Sequence, residues 1–172
     1  PSEVLKKTII DRIAGDYDFV FIDTGPHLDP FLLNGLAASD LLLTPTPPAQ
    51  VDFHSTLKYL TRLPEMLERL EEEGVEPRLS ASIGFMSKMS GKRDHETSHR
   101  LAREVYASNI LDASLPRLDG FERCGESFDT IISANPVSYP GSAEALKKAR
   151  TEAERFTKAV FDRIEYIRGA SK

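Results

Sequence analysis

The chain has 172 residues, of which 40% are hydrophobic and 28% are charged, which is ordinary for one globular domain and excludes a disordered or fibrous chain. A formal net charge of −5 does not by itself indicate a nucleic-acid binder, and no apolar stretch reaches the roughly 20 residues that a membrane helix needs. The single cysteine, Cys124, excludes a disulfide within the chain, suits a reducing cytosol and is predicted to be a buried or partly buried thiol.

The chain begins with a pattern of helix followed by strand. Apolar residues at helical spacing predict a helix over residues 2–14, with Ser2 as its N-cap and Gly15 at its end. The next element is residues 19–23, an apolar run of aromatic and β-branched residues that stops at an acid. Such a run is typical of a strand that is buried on both faces of a parallel sheet.

The acid that ends this run is Asp23, and the following Gly25 and Pro26 predict a turn. A carboxylate at the carboxyl end of a buried strand lies where open α/β sheets bind ligands. In P-loop ATPases the acid in this place helps to hold the Mg²⁺ of the nucleotide. A buried strand that merely ends in a turn Asp gives the same pattern, so the residues alone leave both interpretations open.

A helix over about 30–38 and a strand over 41–44 are predicted next. Prolines within residues 44–48 would end this strand, because each proline removes a backbone donor. From these residues alone we expect a rigid loop there.

A long amphipathic helix is predicted after the prolines, with Asp52 or Ser55 as its cap and a kink or split at Pro64. A second apolar run predicts a buried strand over 79–87. Lys88 follows this strand, and the stem of a lysine can cover a flat apolar surface while its ammonium stays in water. A plain surface lysine is the alternative.

The last predicted helix covers about 143–168, and Ser142 is its expected cap. Its first turns cluster Lys147, Lys148 and Arg150, and a grip on a phosphate backbone needs a few such side chains. Because the charges along the whole helix nearly balance, DNA contact and a plain solvated helix both stay open.

These segments together resemble the ParA-type partition ATPases, the deviant-Walker family that also contains the MinD-like proteins, and most of all its large plasmid-partition members. In that family a Walker B strand ends in D-T-x-P, a helix with an L-x-N-A-L-like run follows, and A-A/S-D leads into the next strand. The residues that carry the resemblance are Asp23-Thr24-Gly25-Pro26, Leu33-Asn34-Gly35-Leu36 and Ala38-Ser39-Asp40.

The resemblance implies an α/β fold, as part of a mostly parallel P-loop-NTPase sheet with helices on both faces. The chain contains neither G-x-x-x-x-G-K-[ST] nor the family's variant K-G-G-x-x-K-[ST]. We therefore expect residues 1–172 to be the carboxyl-terminal part of a single ParA-type ATPase domain, with the first strand and the P-loop missing. Such a part would expose apolar strand edges and would not be active alone.

The resemblance also implies individual roles. Asp23 would be catalytic by acting on Mg²⁺ through water, and Thr24 to Pro26 would form a switch that senses the γ-phosphate of ATP. Two other elements match a T/N-K-like pair beside the purine base and an I-P-R element near the adenine; they are Lys88-Met89 and Leu115-Pro116-Arg117. The implied cofactors are ATP or ADP and Mg²⁺.

The implied function is plasmid partition by an ATPase that binds DNA in a nucleotide-dependent way and represses its own operon. Its implied partners are a second copy in a homodimer, a centromere-binding protein of ParB type and DNA, both non-specific and operator, with no membrane. The basic residues for DNA would be Lys147, Lys148 and Arg150. The implied location is the bacterial cytoplasm, on the nucleoid.

Two other functions stay open. A MinD-like membrane ATPase would need an amphipathic, basic, Phe/Leu-rich tail, and residues 167–172 do not provide one. A non-catalytic α/β interaction domain that kept the strand and lost the chemistry is the other alternative. A reading frame without a P-loop upstream of Pro1 would favour it.

Overall fold

The computed structural model describes residues 2–25, 27, 29–90, 93–126 and 129–170. The chain forms two compact units, a first unit of Pro1–Leu43 with His54–Ser82 and a second unit of Thr44–Phe53 with Ile83–Lys172. A two-stranded parallel sheet and surrounding helices make the fold α/β, as predicted. That residues 1–172 are part of one larger domain stays a prediction.

The first unit begins with a helical segment, in which a π-helical turn at Lys6–Ile10 continues into α1 at Asp11–Ile13. The helix predicted over 2–14 is thus present, but Ser2 is not its cap. The Ser2 hydroxyl instead donates a hydrogen bond to the Glu73 carboxylate at 2.6 Å. This bond is the main reason that the pKa of Glu73 is lowered.

Helix α2 spans Pro30–Ala38, as predicted. Asp29 caps it, because its Oδ1 accepts from the backbone N–H groups of Phe31 and Leu32, both at 3.0 Å. Its apolar face contributes to the core of the first unit, whose buried members are Leu32, Leu33, Leu36, Ala37, Leu63, Met66, Leu70 and Val75.

The strand predicted over 19–23 is wrong for this structure. The segment has no regular secondary structure and joins neither strand of the described sheet. Phe21 is 74% exposed and Val20 is 41% exposed, where a buried strand would hide both side chains. The physical reason is that a buried strand needs strands beside it to take its backbone hydrogen bonds, and the described sheet, which holds only two strands, does not include one paired with this segment.

The sheet consists of β1, Leu41–Thr46, and β2, Ala81–Met86. The prediction that a strand ends at residue 44 is wrong, since β1 continues through the exposed Pro45 to the buried Thr46. In the described sheet β1 is an edge strand, and an edge tolerates proline when its missing donor is on the open side. The strand predicted over 79–87 is confirmed as β2 with narrower bounds.

Helix α3 is continuous over Gln50–Glu72 and contains Pro64. The predicted split at Pro64 is therefore wrong, and Asp52 and Ser55 lie inside the helix rather than at its cap. One proline removes one backbone bond, and burial of Leu63 and Met66 on either side keeps the helix in register with its core.

The second unit contains the other helices: α4, Arg93–Tyr106, then a 3₁₀ turn at Ala107–Asn109, α5, Asp119–Glu126, and α6, Ala143–Ala170. Ser142 caps α6 as predicted, since its Oγ accepts from the N–H of Ala145 at 3.1 Å. The rings of Phe156 on α6 and Phe85 on β2 pack with centroids 4.7 Å apart. None of the described helices has the length and apolar character that crossing a bilayer requires.

Candidate functional site

The end of β2 pairs with a second segment of the same unit, residues 110–117. Parallel bridges join Gly84 with Ile110 and Met89 with Pro116. The Met89 N–H donates to the Leu115 carbonyl at 3.0 Å, and the Arg117 N–H donates to the Met89 carbonyl at 2.7 Å. Lys88-Met89 and Pro116-Arg117, two pairs that the sequence singles out separately, are thus brought together at one place.

Lys88 has an unusual backbone in this place. Its φ is 53°, in the left-handed region that glycine and asparagine prefer, and its side chain is exposed. No sequence signal indicates this conformation, because nothing about a lysine after a strand predicts a positive φ. Arg117 beside it forms an exposed ion pair with Glu122 at 3.1 Å, which a surface position makes weak.

Tyr106, at the end of α4, supports this part of the sheet and is not among the residues that the sequence singles out. Its hydroxyl and that of Thr46 at the end of β1 are 2.9 Å apart and share a buried hydrogen bond. Its ring lies against Gly84, where an added Cβ would come within 2.4 Å of the ring. Burial raises the pKa of Tyr106, and the bond to Thr46 opposes that rise. A glycine inside a strand was the available signal, since it often marks a close approach.

Asp23 and Thr24 belong to the first unit. The Asp23 side chain is exposed and forms no hydrogen bond or ion pair with another described residue. The Thr24 methyl lies 2.8 Å from the place where a Cβ on Gly35 would be, so it packs closely on α2. Pro26, the last residue of the predicted switch, lies outside the described residues.

The Asp23 carboxylate fits one kind of metal site. Across the described ranges, no group of three or more His, Cys, Asp or Glu side chains could hold a metal ion. Mg²⁺ does not need such a cage, because it usually keeps several waters and takes one or two carboxylates together with substrate phosphates. An exposed carboxylate without another partner among the described residues is suited to that kind of contact.

The basic cluster on α6 divides into two kinds of side chain. Lys147 and Lys148 are exposed. The Arg150 guanidinium donates to the carbonyls of Ile131 at 2.8 Å and Ile132 at 3.1 Å, and also to that of Ala134. Arg150 therefore fastens the turn at 131–134 to α6, whatever else it contacts.

Cys124 lies in the small core between α5 and α6, at 3% exposure. The prediction of a buried or partly buried thiol is confirmed. Burial raises the pKa of the Cys124 thiol, which keeps it protonated and unreactive at neutral pH.

Comparison with known proteins identifies the class. A family model described as an AAA domain matches residues 1–80. A solved structure of a partition protein is 76% identical to this chain, and the two superpose with a TM-score of 0.78. The match includes 98% of this chain and 41% of the chain of that structure. The chain is thus similar to partition proteins over nearly its whole length, as its motifs predict.

Several relatives carry the name of a partition protein. Plasmid partition protein A of Escherichia coli is 62% identical over 165 residues, which are 96% of this chain and 42% of that protein. Protein SopA of Escherichia coli strain K12 is 24% identical over 94% of the chain, and chromosome partitioning protein ParA of Caulobacter vibrioides is 29% identical over 84%. The chain spans about two fifths of the length of the first of these relatives.

Proposed function

We propose that the intact protein is a plasmid-partition ATPase, which hydrolyses ATP with Mg²⁺ and binds DNA in a nucleotide-dependent way. The observation that carries this proposal is the 62% identity to a plasmid partition protein A over 96% of the chain. The proposal includes a homodimer, a centromere-binding partner of ParB type and repression of its own operon.

Asp23 is the proposed catalytic residue. Mg²⁺ bound to the phosphates would neutralise the negative charge that develops during phosphoryl transfer. The exposed carboxylate of Asp23 would hold the ion through water, and Thr24 next to it would respond to the γ-phosphate. The close packing of Thr24 on Gly35 supports this proposal, because a movement of Thr24 would directly change its contact with α2.

The residues proposed to contact the nucleotide base are the two pairs that are joined in the second unit, Lys88-Met89 and Pro116-Arg117. Met89 and Pro116 are half-buried and offer apolar surface, which suits the flat face of a purine. Lys88 and Arg117 are exposed beside them, where a stem or a planar guanidinium can cover a base while its charge remains in water.

The proposal is tested by two measurements on the purified intact protein. ATP hydrolysis should require Mg²⁺ and stop when EDTA removes it. Binding to non-specific DNA should be stronger with ATP than with ADP. A protein that neither hydrolyses ATP nor changes its DNA affinity with nucleotide would contradict the proposal.

The DNA contacts are proposed to come from Lys147 and Lys148, since Arg150 is already engaged with backbone carbonyls. Replacing both lysines by alanine should weaken DNA binding and flatten the plot of log affinity against log salt by about 2, roughly 0.9 for each phosphate that is no longer neutralised. Fluorescence anisotropy over a salt series measures both effects.

A suitable control is Lys158→Ala on the same helix, because the Lys158 ammonium pairs with Asp162 at 2.6 Å. This variant should keep most of the wild-type slope. If the double variant binds DNA as the wild type does at every salt concentration, the DNA contacts lie elsewhere.

A further inference from the structure

Helix α2 contains a glycine, Gly35, at a place where glycine is unfavourable. Gly35 lies in the interior of this nine-residue helix and is buried. In a helix interior, glycine is about 1 kcal/mol less favourable than alanine, because it loses more backbone freedom on folding. A closely packed neighbour that leaves no room for a Cβ accounts for a glycine in such a place.

The group that approaches Gly35 is the side chain of Thr24. The Thr24 Cγ2 lies 2.8 Å from the place where a Cβ on Gly35 would be, and the Cγ2 of Ile22 lies 3.8 Å from that place. The first distance is too short for two carbon atoms, whereas the second is an ordinary contact. The Thr24 methyl therefore occupies the space that glycine leaves, and an alanine at position 35 would fit only if Thr24 or α2 moved.

Helix α2 is the more firmly held of the two. Its apolar face is buried in the core of the first unit, and the Leu5 N–H donates to Oδ1 of Asn34 at 3.1 Å, which ties α2 to the first helical segment. Thr24 is exposed, and its hydroxyl forms no hydrogen bond with another described residue. An alanine at position 35 would thus displace the Thr24 side chain rather than the helix.

A displacement of the Thr24 methyl also displaces the hydroxyl. Both groups are attached to the same Cβ, where they occupy two of the three staggered positions about χ1. A rotation that takes the methyl away from Gly35 moves the hydroxyl to another of these positions. The contact with Gly35 thus determines where the Thr24 hydroxyl points.

We propose that Gly35 is a positioning residue for ATP hydrolysis, an inference that rests on the proposed function. Its missing Cβ holds the Thr24 methyl in place and thereby directs the Thr24 hydroxyl towards the γ-phosphate. ADP lacks this phosphate. The direction that Gly35 sets should therefore affect hydrolysis of ATP and leave the affinity for ADP unchanged.

The test measures steady-state ATP hydrolysis and the binding of a fluorescent ADP analogue by the intact protein. Gly35→Ala introduces the clash. Thr24→Ser keeps the hydroxyl and removes the methyl, so it makes room for that alanine in a double variant. Thr24→Val keeps the branched shape and removes the hydroxyl. Gly125→Ala on α5 is the control, because an added Cβ there meets nothing within 4 Å.

We expect Gly35→Ala to lower turnover about tenfold or more, because a misplacement of about 1 Å near the reacting group can cost about 100-fold. Thr24→Val should lose at least as much turnover. In the Thr24→Ser background, Gly35→Ala should change turnover by less than about twofold, because the two positions no longer interact. Gly125→Ala should have wild-type turnover, and every variant should bind the ADP analogue as the wild type does.

Wild-type turnover in Gly35→Ala would overturn the role of Gly35, and so would an equal loss with and without the Thr24 methyl. Loss of ADP binding in Gly35→Ala would overturn it too, since the substitution would then disturb the whole site. Thr24→Ser should keep at least about a tenth of the wild-type turnover, because it retains the hydroxyl, and a larger loss contradicts the inference.

If Gly35→Ala does not fold, Thr24→Val decides the question. Wild-type turnover in Thr24→Val overturns the inference, and lost turnover with wild-type ADP binding supports it. A wild-type protein that hydrolyses no ATP overturns the proposed function itself, which separates the two failures.

Discussion

Two apolar runs in this chain have the same kind of sequence and take different structures. Residues 19–23 and residues 79–87 both predict a strand buried within a parallel sheet. The second run forms β2, where Ile83 and Phe85 are 3% and 7% exposed. The first run remains outside the sheet, and Phe21 is 74% exposed. The comparison shows that an apolar run indicates a segment suited to a buried strand. Whether it forms that strand depends on whether other strands lie beside it.

The difference arises from the neighbours that each run has. Beside β2 lie β1 on one side, as in the bond from Ser87 to Thr46, and residues 110–117 on the other. Backbone groups that leave water must find partners, so a run with neighbours can be buried and a run without them cannot. Because the chain spans only 42% of a 62% identical relative, we propose that the neighbours of residues 19–23 lie in the rest of the intact protein.

The largest effect that we expect from a substitution in either run is on ATP turnover, at Asp23, the residue that ends the first run. Asp23→Ala in the intact protein should lower ATP turnover about 100-fold or more, because it removes the proposed contact to Mg²⁺ and its effect on the transferring phosphate. Steady-state phosphate release measures it.

Asp18→Ala is a matched control, since Asp18 is another exposed aspartate, five positions earlier, just before the run begins. It should keep turnover within a factor of about two of the wild type, as surface substitutions usually do. Equal turnover in wild type and Asp23→Ala would show that the end of this run has no role in catalysis.

Burial of the first run in the intact protein is tested by Phe21→Ser. If neighbours cover residues 19–23 there, this substitution should lower the free energy of unfolding by about 3 kcal/mol or more, the usual cost of deleting a buried aromatic side chain. Urea unfolding of the intact protein measures the change.

Phe31→Ser on α2 is the control, because Phe31 is 81% exposed in the first unit and is expected to matter by less than about 0.5 kcal/mol. A Phe21→Ser variant as stable as Phe31→Ser would mean that the run remains exposed in the intact protein. The two runs would then differ in function as well as in structure.

The second run is tested at Gly84. An alanine there would place its Cβ 2.4 Å from the Tyr106 ring, so either the ring or the strand must move. Overpacking of this kind usually costs about 1–3 kcal/mol of unfolding free energy. Gly125→Ala on α5 is the control, since a Cβ there meets nothing within 4 Å and alanine favours a helix.

Equal stability of Gly84→Ala and Gly125→Ala would show that Tyr106 does not pack on β2 as described. The free energy of unfolding that Gly84→Ala removes should be smaller in a Tyr106→Leu background than in the wild type, because the smaller side chain leaves room for the added methyl group. That pair of measurements isolates the packing of Tyr106 on Gly84 from general effects on the strand.

Periodicity and capping residues, which act locally in the sequence, predict most helices and strands correctly. The effect of a proline depends on tertiary neighbours and is predicted poorly. Helix α6 with its cap Ser142, helix α2 and strand β2 follow from periodicity and capping alone. Pro45 within β1 and Pro64 within α3 were misjudged, because the cost of a proline depends on whether its missing bond lies at an open edge or beside a well-packed core.

The candidate site was predicted as residues but not as a geometry. Family resemblance indicated Lys88, Met89, Pro116 and Arg117, and the structure joins them through two backbone bonds. No sequence pattern indicated the positive φ of Lys88, since that conformation is imposed by contacts made with residues nearly thirty positions later. The engagement of Arg150 with the turn at 131–134 is a long-range contact of the same kind.

The smallest expected effect concerns α4, which carries Tyr106 to the end of β2. His99 on this helix has a lowered pKa, first because burial disfavours the charged imidazole and then because Arg103 is nearby, with Asp112 acting in the opposite direction. The unfolded chain therefore binds a proton more readily than the folded one. Stability should be unaffected above about pH 6.5 and should decline as the pH falls from there towards the lower pKa of the folded state.

Urea unfolding at a series of pH values between about 5 and 7.5 measures this slope. His99→Gln should flatten it by a small amount, because the imidazole is only partly buried. An unchanged slope in His99→Gln would mean that protonation of His99 does not work against the packing of α4, and that acid sensitivity in the second unit has another source.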